Sequence, residues 1–173
     1  MADSTTAELS VGQWTLDAPA SSVGIRNKSM WGLVTVKATF AKVSGVGEIL
    51  ADGSASGTLT VAAASVSSGK PKLDTHLRSA DFFDVEKFPD FTFAAERVVP
   101  KTADSAEVTG QLTVLGNSRP LSFTARTAAS GPDEVALTAE VDIDRADFGM
   151  TWNRGGMLKS PTTVALSLRF VRG

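Results

Sequence analysis

The sequence contains no cysteine, and His76 is its only histidine among 173 residues. Without cysteine the chain can form no disulfide, carry out no thiol chemistry and offer no thiolate to a metal. A single histidine also falls short of the usual zinc and copper ligand sets. We therefore expect no metal site. The lack of cysteine fits both a reducing cytoplasm and a simple exported barrel.

Long apolar runs and an excess of positive charge are missing as well. No apolar run approaches the roughly 18 residues of a membrane helix, so we expect no transmembrane segment. A net charge of −2 argues against a nucleic-acid partner, because such a partner is bound through a basic surface. Residues 1–10 lack the basic start and apolar core of a signal peptide. This predicts a cytoplasmic protein as written, or a periplasmic or secreted one if a leader has been removed.

Most of the chain alternates between apolar and polar residues, which is the pattern of a half-buried strand. Residues 34–40, 59–63 and 163–171 show the alternation most clearly. About eight such segments are separated by turn residues, and no long amphipathic helix interrupts them. The pattern predicts an all-β, antiparallel barrel or sandwich. An eight-stranded barrel has a bore that is either filled by side chains or wide enough for one elongated ligand.

The chain divides into two parts of unequal length. Residues 1–12 are small and polar, which predicts a flexible tail. Residues 13–173 are long enough for a sizeable core and predict a single domain.

One segment, residues 73–93, breaks the alternation. It holds the only histidine and five of the nine phenylalanines, yet it is densely charged. The order of its residues predicts a short helix near 73–80, with Asp74 as the side-chain cap of its first turn. Pro89 then favours an extended chain into a short strand at 91–93.

Few residues offer catalytic or metal chemistry. Asp74 and His76 lie two positions apart, and such residues do not face each other on a helical turn. No serine lies in a nucleophile-elbow pattern. We therefore predict that the protein is not an enzyme, and that His76 orients the helical segment. Asp142, Asp144 and Asp147 lack the glycine of a calcium loop and are interpreted as solvated.

Arginines supply the remaining candidate site. Arg78, with Arg145 and Arg154, could hold an anionic head group at a pocket mouth. The alternative is that Arg78 is tied to a carboxylate nearby, from Asp74, Asp81 or Asp84. We favour this structural tie, because the carboxylates are close in the chain.

The apolar members of the alternating pairs must share the buried face, so we predict that they line the bore. Residues 145–158 mix methionine, aromatic residues and glycine, and they form either an adaptable ligand lip or a loop that packs its aromatic side chains into the barrel end. The predicted ligand-binding residues are Ile25, Val34, Val36, Phe40, Leu59, Val61, Phe82, Phe93, Leu112, Val114, Leu121, Phe123, Met150 and Trp152.

Several separated motifs resemble the YceI-like family. The segments 74–84 and 88–93 carry the strongest likeness, in the sequences DTHLRSADFFD and FPDFTF. WTLD at 14–17, GQLTVLG at 110–116 and RADFG at 145–149 follow the same family pattern. The resemblance covers about residues 12–172. The chain departs from it at Ser21-Ser22 and at 27–29, where family members usually carry histidine.

The resemblance implies an elongated antiparallel, lipocalin-like barrel that binds, stores or transports a long-chain amphiphilic isoprenoid. A polyprenyl phosphate or an isoprenoid quinone would then be the bound ligand, with no further cofactor. The departures put any shared polar site in doubt and leave the apolar bore unaffected. The alternative is a structural or stress-related barrel that acts through a protein partner without a large ligand. Assembly of the chain into a homodimer is a further possibility.

Overall fold

The protein is built almost entirely of strands. The computed structural model describes residues 9–29, 34–80, 82–144, 148 and 162–173, without the side chains of 28–29 and 34–36. These residues form one α-helix, α1 (Pro71–Arg78), and two short 3-10 turns. Their strands are β1 (Gly12–Leu16), β2 (Ser22–Ser29), β3 (Val34–Phe40), β4 (Val43–Ile49), β5 (Ala55–Ala62), β6 (Val66–Ser67), β7 (Asp90–Thr102), β8 (Ser105–Val114), β9 (Asn117–Ala129), β10 (Glu134–Ile143) and β11 (Thr162–Arg172).

Eight of these strands close into an antiparallel barrel. Neighbouring strands pair in the order β1-β4-β5-β7-β8-β9-β10-β11, and β1 returns to pair with β11. The 3-10 turn at Ala18–Ala20 separates β1 from β2, and these two strands pair with opposite halves of β11. The pair β2–β3 and the short β6 thereby prolong one side of the wall. The predicted all-β barrel of about eight strands is confirmed.

The two ends of the barrel are built differently. One end, which we call the helix end, carries α1 between β6 and β7, together with the turn Leu115–Gly116 between β8 and β9. The other, which we call the turn end, carries the connections after β4, β7 and β9, the start of β1 and the end of β11. No helix in the part of the chain that the structure describes has the length and apolarity to cross a membrane.

The helix starts three residues before the position predicted for its cap. Pro71 occupies the first turn, where proline is favoured because the N–H that it lacks would have no partner there. Asp74 therefore lies inside the helix, and the prediction that it caps the first turn was wrong. Its Oδ1 instead accepts hydrogen bonds from the backbone N–H of Ser68 at 2.8 Å and from the Ser68 hydroxyl at 2.6 Å. It thus ties the loop before α1 to the helix.

Ordered contacts at the N-terminus begin before the predicted domain boundary at residue 13. Gly12 already belongs to β1. The backbone N–H of Ser10 donates to the carbonyl of Pro132 at 2.8 Å, and the indole N–H of Trp14 donates to the carbonyl of Ser10 at 2.9 Å. Residues 1–8 of the predicted tail lie outside the described part of the chain, and the division at residue 13 stays a prediction.

Buried side chains gather mainly at the helix end. The larger core cluster joins Leu77 of α1 and the following Phe82 and Phe83 to strand residues that include Phe40 and Val61. A smaller cluster at the turn end consists of Trp14, Ile49 and Val135. The described core is thus asymmetric along the barrel axis.

Candidate ligand-binding bore

The bore contains two apolar chambers in line. The one at the helix end, the narrow chamber, has a volume of about 370 Å³. The one at the turn end, the wide chamber, has a volume of about 890 Å³. Four residues, Leu59, Phe93, Phe123 and Leu166, line both chambers. We call this set the waist.

Phenylalanine rings fill much of the helix end. The ring of Phe83 lies 5.0 Å from that of Phe91 in an edge-on arrangement, and Phe40 contacts both rings at centroid distances of 5.7–5.9 Å. Such edge-to-face pairs are a favoured aromatic geometry. Helix α1 contributes Leu73 and Leu77 to the same wall. The helix and its aromatic neighbours therefore occupy much of this end of the bore and keep the volume of the narrow chamber small.

A few polar side chains face the narrow chamber. Thr162 donates its hydroxyl to Oδ1 of Asn27 at 2.5 Å, which links β11 to β2 at the helix end. The His76 ring lies edge-on to Phe82, with 4.9 Å between ring centroids. Thr92 also borders this wall, although its side chain alternates with the inward Phe91 and Phe93 and lies on the opposite face of β7. None of the described residues that line the narrow chamber is lysine or arginine.

Small residues account for the larger volume of the wide chamber. Its wall carries glycine or alanine at inward positions where the helix end carries phenylalanine or leucine; these residues are Gly47, Ala55, Gly57, Ala95, Ala106, Ala125 and Ala139. Since successive inward positions on a strand are two residues apart, β7 presents Phe91, Phe93 and then Ala95 to the bore. The same strand thus builds a narrow wall and a wide one.

One glycine beside the wide chamber is required by the backbone. A Cβ on Gly110 would lie 2.1 Å from the carbonyl oxygen of Ala94. The register of β7 against β8 shifts at this point, between Ala95 and Arg97. A β-bulge brings the two backbones together there, and only glycine fits such an approach.

The structure places ten of the predicted ligand-binding residues on the wall of the narrow chamber. These are Ile25, Phe40, Leu59, Val61, Phe82, Phe93, Leu112, Val114, Leu121 and Phe123. Their role in binding a ligand stays a prediction. The side chains of Val34 and Val36, and the residues Met150 and Trp152, lie outside the described part of the chain, as do Arg145 and Arg154.

The three predicted polar residues of the helical segment have different surroundings. Asp74 binds Ser68 in the loop before α1. His76 lines the narrow chamber. Arg78 donates from Nε to the carbonyl of Ala64 at 3.0 Å and from a terminal nitrogen to that of Val66 at 3.1 Å. Among the described residues its hydrogen-bond partners are thus main-chain carbonyls rather than the carboxylates of Asp74 and Asp84; Asp81 lies outside the described part of the chain.

Electrostatics at this end stabilise the loop before α1. The hydrogen bond from the Ser68 hydroxyl lowers the pKa of Asp74 from the usual aspartate value, against a smaller opposing effect of burial. The backbone N–H of Ser68 and the positive charge of Arg78 lower this pKa further. Elsewhere, on the outer wall, Arg26 donates to both carboxylate oxygens of Glu140 at 3.1 and 3.3 Å, and this lowers the pKa of Glu140. Among the described residues no group of three potential metal ligands comes together.

Sequence reasoning missed the wide chamber and part of the wall of the narrow one, including Asn27, Phe148 and Thr162. Asn27 and Thr162 were not predicted, because polar residues on alternating strands are normally assigned to the outer face. Phe148 is buried at 4% exposure and its carbonyl accepts a hydrogen bond from the Asn117 amide at 2.9 Å. The wide chamber could have been predicted only from the glycine and alanine residues at inward positions. These residues differ little in hydrophobicity from the outward residues that alternate with them.

Comparisons with known proteins agree with this geometry. A family model described as the YceI-like domain matches residues 14–171. The curated Protein YceI of Salmonella arizonae is 34% identical over 102 residues, which cover 56% of this chain and 53% of that protein. The match therefore spans about half the length of this curated relative.

Solved structures share the fold at lower identity. BcnA of Burkholderia cenocepacia is 21% identical, with a TM-score of 0.81 over 89% of this chain and 98% of that one. A polyisoprenoid binding domain from Saccharophagus degradans, implicated in plant cell wall breakdown, is 16% identical, with a TM-score of 0.75 over 95% of this chain and 100% of that one. At such identities the likeness shows the barrel fold.

Proposed function

The chain belongs to the YceI-like domain family, matched over residues 14–171, and on that premise we propose that its barrel binds one long isoprenoid chain along the bore. The similar solved domain from Saccharophagus degradans is a polyisoprenoid binding domain, and this supports the same ligand class here. In this proposal the protein stores or carries its ligand and does not transform it.

The observation that carries the proposal is the pair of apolar chambers in line. They share the four waist residues, so a flexible chain that fills one chamber can continue into the other. At about 3.4 Å per residue, the 13 residues of β7 extend roughly 44 Å along the strand, which a typical barrel tilt of about 40° reduces to roughly 30–35 Å along the bore. A bore of this kind suits a long, thin, apolar molecule better than a compact one.

Burial of the chain supplies the affinity. Each buried methylene contributes about 0.8 kcal/mol, so every further isoprene unit should tighten binding until the bore is full. The head group then matters less than the chain. Chain-length dependence is therefore the signature of this binding mode.

The described wall of the narrow chamber favours a neutral head group. Its polar side chains are the neutral Asn27, Thr162 and His76, of which Thr162 and Asn27 are already bonded to each other, and none of its described residues is lysine or arginine. A phosphate would need charge-assisted partners, whereas a quinone or an alcohol is satisfied by such neutral groups. Of the two head groups that the resemblance implies, we propose the quinone.

Two measurements test this function. Native mass spectrometry of the purified protein should show a co-purifying apolar chain. Titration with farnesol, geranylgeraniol and solanesol, which share one head group and differ in the number of isoprene units, should give affinity that rises with length. A barrel that binds none of them, and carries none from the cell, would instead be the structural barrel acting through a protein partner.

A further inference from the structure

The waist lies at the boundary between the two chambers. Its members come from β5, β7, β9 and β11, which are spread around the barrel. Leu59 and Phe93 are paired neighbours, and the ring of Phe93 lies 5.7 Å from that of Phe123. A chain that spans both chambers has to pass this aromatic pair.

The two leucines and the two phenylalanines of the waist differ in how they pack against the core. Leu59 and Leu166 pack against the larger core cluster. Phe93 and Phe123 are half-buried and belong to neither core cluster among the described residues. The leucines are therefore packed against the core, whereas the two rings contact each other and lie outside both clusters.

The rings have room on one side only. On the wide side, the next inward residues of β7 and β9 are Ala95 and Ala125, which line the wide chamber. On the narrow side, the corresponding residues are Phe91 and Leu121. A ring that swings toward the wide chamber meets methyl groups, whereas one that swings back meets bulky side chains.

We propose that Phe93 and Phe123 form a chain-length gate that opens toward the wide chamber and divides ligands into those held in one chamber and those that span both. This inference rests on the proposed binding of an isoprenoid chain and adds a specificity role for two residues. A short chain binds without moving the rings. A long chain displaces them, and the rings then close around it and slow its release.

The test compares Phe123→Leu with Phe91→Leu. Both substitutions replace a ring by a leucine on the wall of the bore, but only Phe123 belongs to the waist. Release of farnesol and of solanesol into phosphatidylcholine vesicles is timed for each protein. We expect Phe123→Leu to release solanesol roughly two- to tenfold faster, the range of one aromatic pair, and to accelerate farnesol release by a clearly smaller factor, so that the ratio of the two release rates changes. Phe91→Leu should change the release rates of farnesol and solanesol by the same factor.

Phe93→Leu provides a second, independent disruption of the gate and is expected to repeat the result, including in case Phe123→Leu does not fold. Melting temperatures show that each variant is folded. Equal acceleration of both ligands in the waist variants, or none, would overturn the gate while leaving the proposed function intact. Failure of the unaltered protein to bind either alcohol would overturn the function and the gate together.

Discussion

The narrow chamber and the wide chamber share the walls of β5 and of β7 to β11, yet the second has more than twice the volume of the first, at about 890 against 370 Å³. The number of strands, which sets the width of the backbone barrel, is the same for both. What changes is the size of the inward side chains, from phenylalanine at the helix end to alanine and glycine at the turn end. The width of a binding bore can thus be set residue by residue within one barrel.

The helix end and the turn end also differ in how tightly their side chains are packed. At the helix end, buried aromatic rings contact one another and α1. At the turn end, Val46 and Leu50 remain 61% and 46% exposed. We infer that stability resides mainly at the helix end, and that the turn end supplies space.

The largest expected effect comes from opening the packed end. Phe83→Ala removes a ring that contacts Phe40 and Phe91, and such a cavity costs about 3–5 kcal/mol of unfolding free energy. Val46→Ala, at the exposed turn end, should change it by no more than about 0.5 kcal/mol. Chemical denaturation of both variants measures the difference. Equal losses would remove the proposed asymmetry of stability.

A second substitution strains the bulge beside the wide chamber. Gly110→Ala places a methyl group against the backbone of Ala94, and the strain should cost about 1–3 kcal/mol or more. Gly24→Ala is the control, because its Cβ would meet its nearest neighbour, the carbonyl oxygen of Ala38, at 3.4 Å. Thermal denaturation should give a clearly lower melting temperature for Gly110→Ala than for Gly24→Ala. If Gly110→Ala melts like the control, the close backbone approach at the bulge is wrong.

A third substitution releases the helical segment from the barrel. Arg78→Ala removes two hydrogen bonds to the carbonyls of Ala64 and Val66, and we expect a loss of about 1.5 kcal/mol. Arg126→Ala, whose ion pair with Asp104 is exposed at 4.0 Å, should have almost no effect. The ratio of the Kd for a prenyl alcohol to the Kd for a prenyl phosphate should be the same in Arg78→Ala as in the unaltered protein. A selective loss of the phosphate would make Arg78 a head-group residue.

The smallest effect is a pH dependence of the same segment. The pKa of Asp74 is lowered in the folded protein from its usual value of 3.8, so its contribution to stability is present above about pH 4 and is lost as the pH falls through the folded value. Asp74→Asn should therefore be less stable than the unaltered protein near pH 7, and the gap should shrink below pH 4. Denaturation curves across this range measure it, with the exposed Asp90→Asn as control. A gap that is independent of pH would contradict the role of the charge.

Strand alternation predicted the barrel and much of its wall, because inward positions such as Phe93, Leu112 and Phe123 combine bulk with a period of two. It could not predict the wide chamber, since Ala95 and Ala125 differ little from ordinary surface residues. The start of α1 was missed because Pro71 resembles a loop residue, although the first turn is where a helix accepts proline. The carbonyl partners of Arg78 depend on where β6 passes α1, and no local pattern records that contact.

The pairing of Trp14 with Arg172 joins the first strand of the barrel to the last and has a consequence for how the protein is made. Contacts so distant in the chain form slowly, because a long loop has to close before they stabilise anything. During synthesis β1 can pair with β4 early, but its pairing with β11 has to wait until almost the whole barrel has left the ribosome. A bore that can retain a hydrophobic chain therefore exists only after synthesis of the barrel is complete. Loading with ligand is thus a late event, separate from the folding of the packed end.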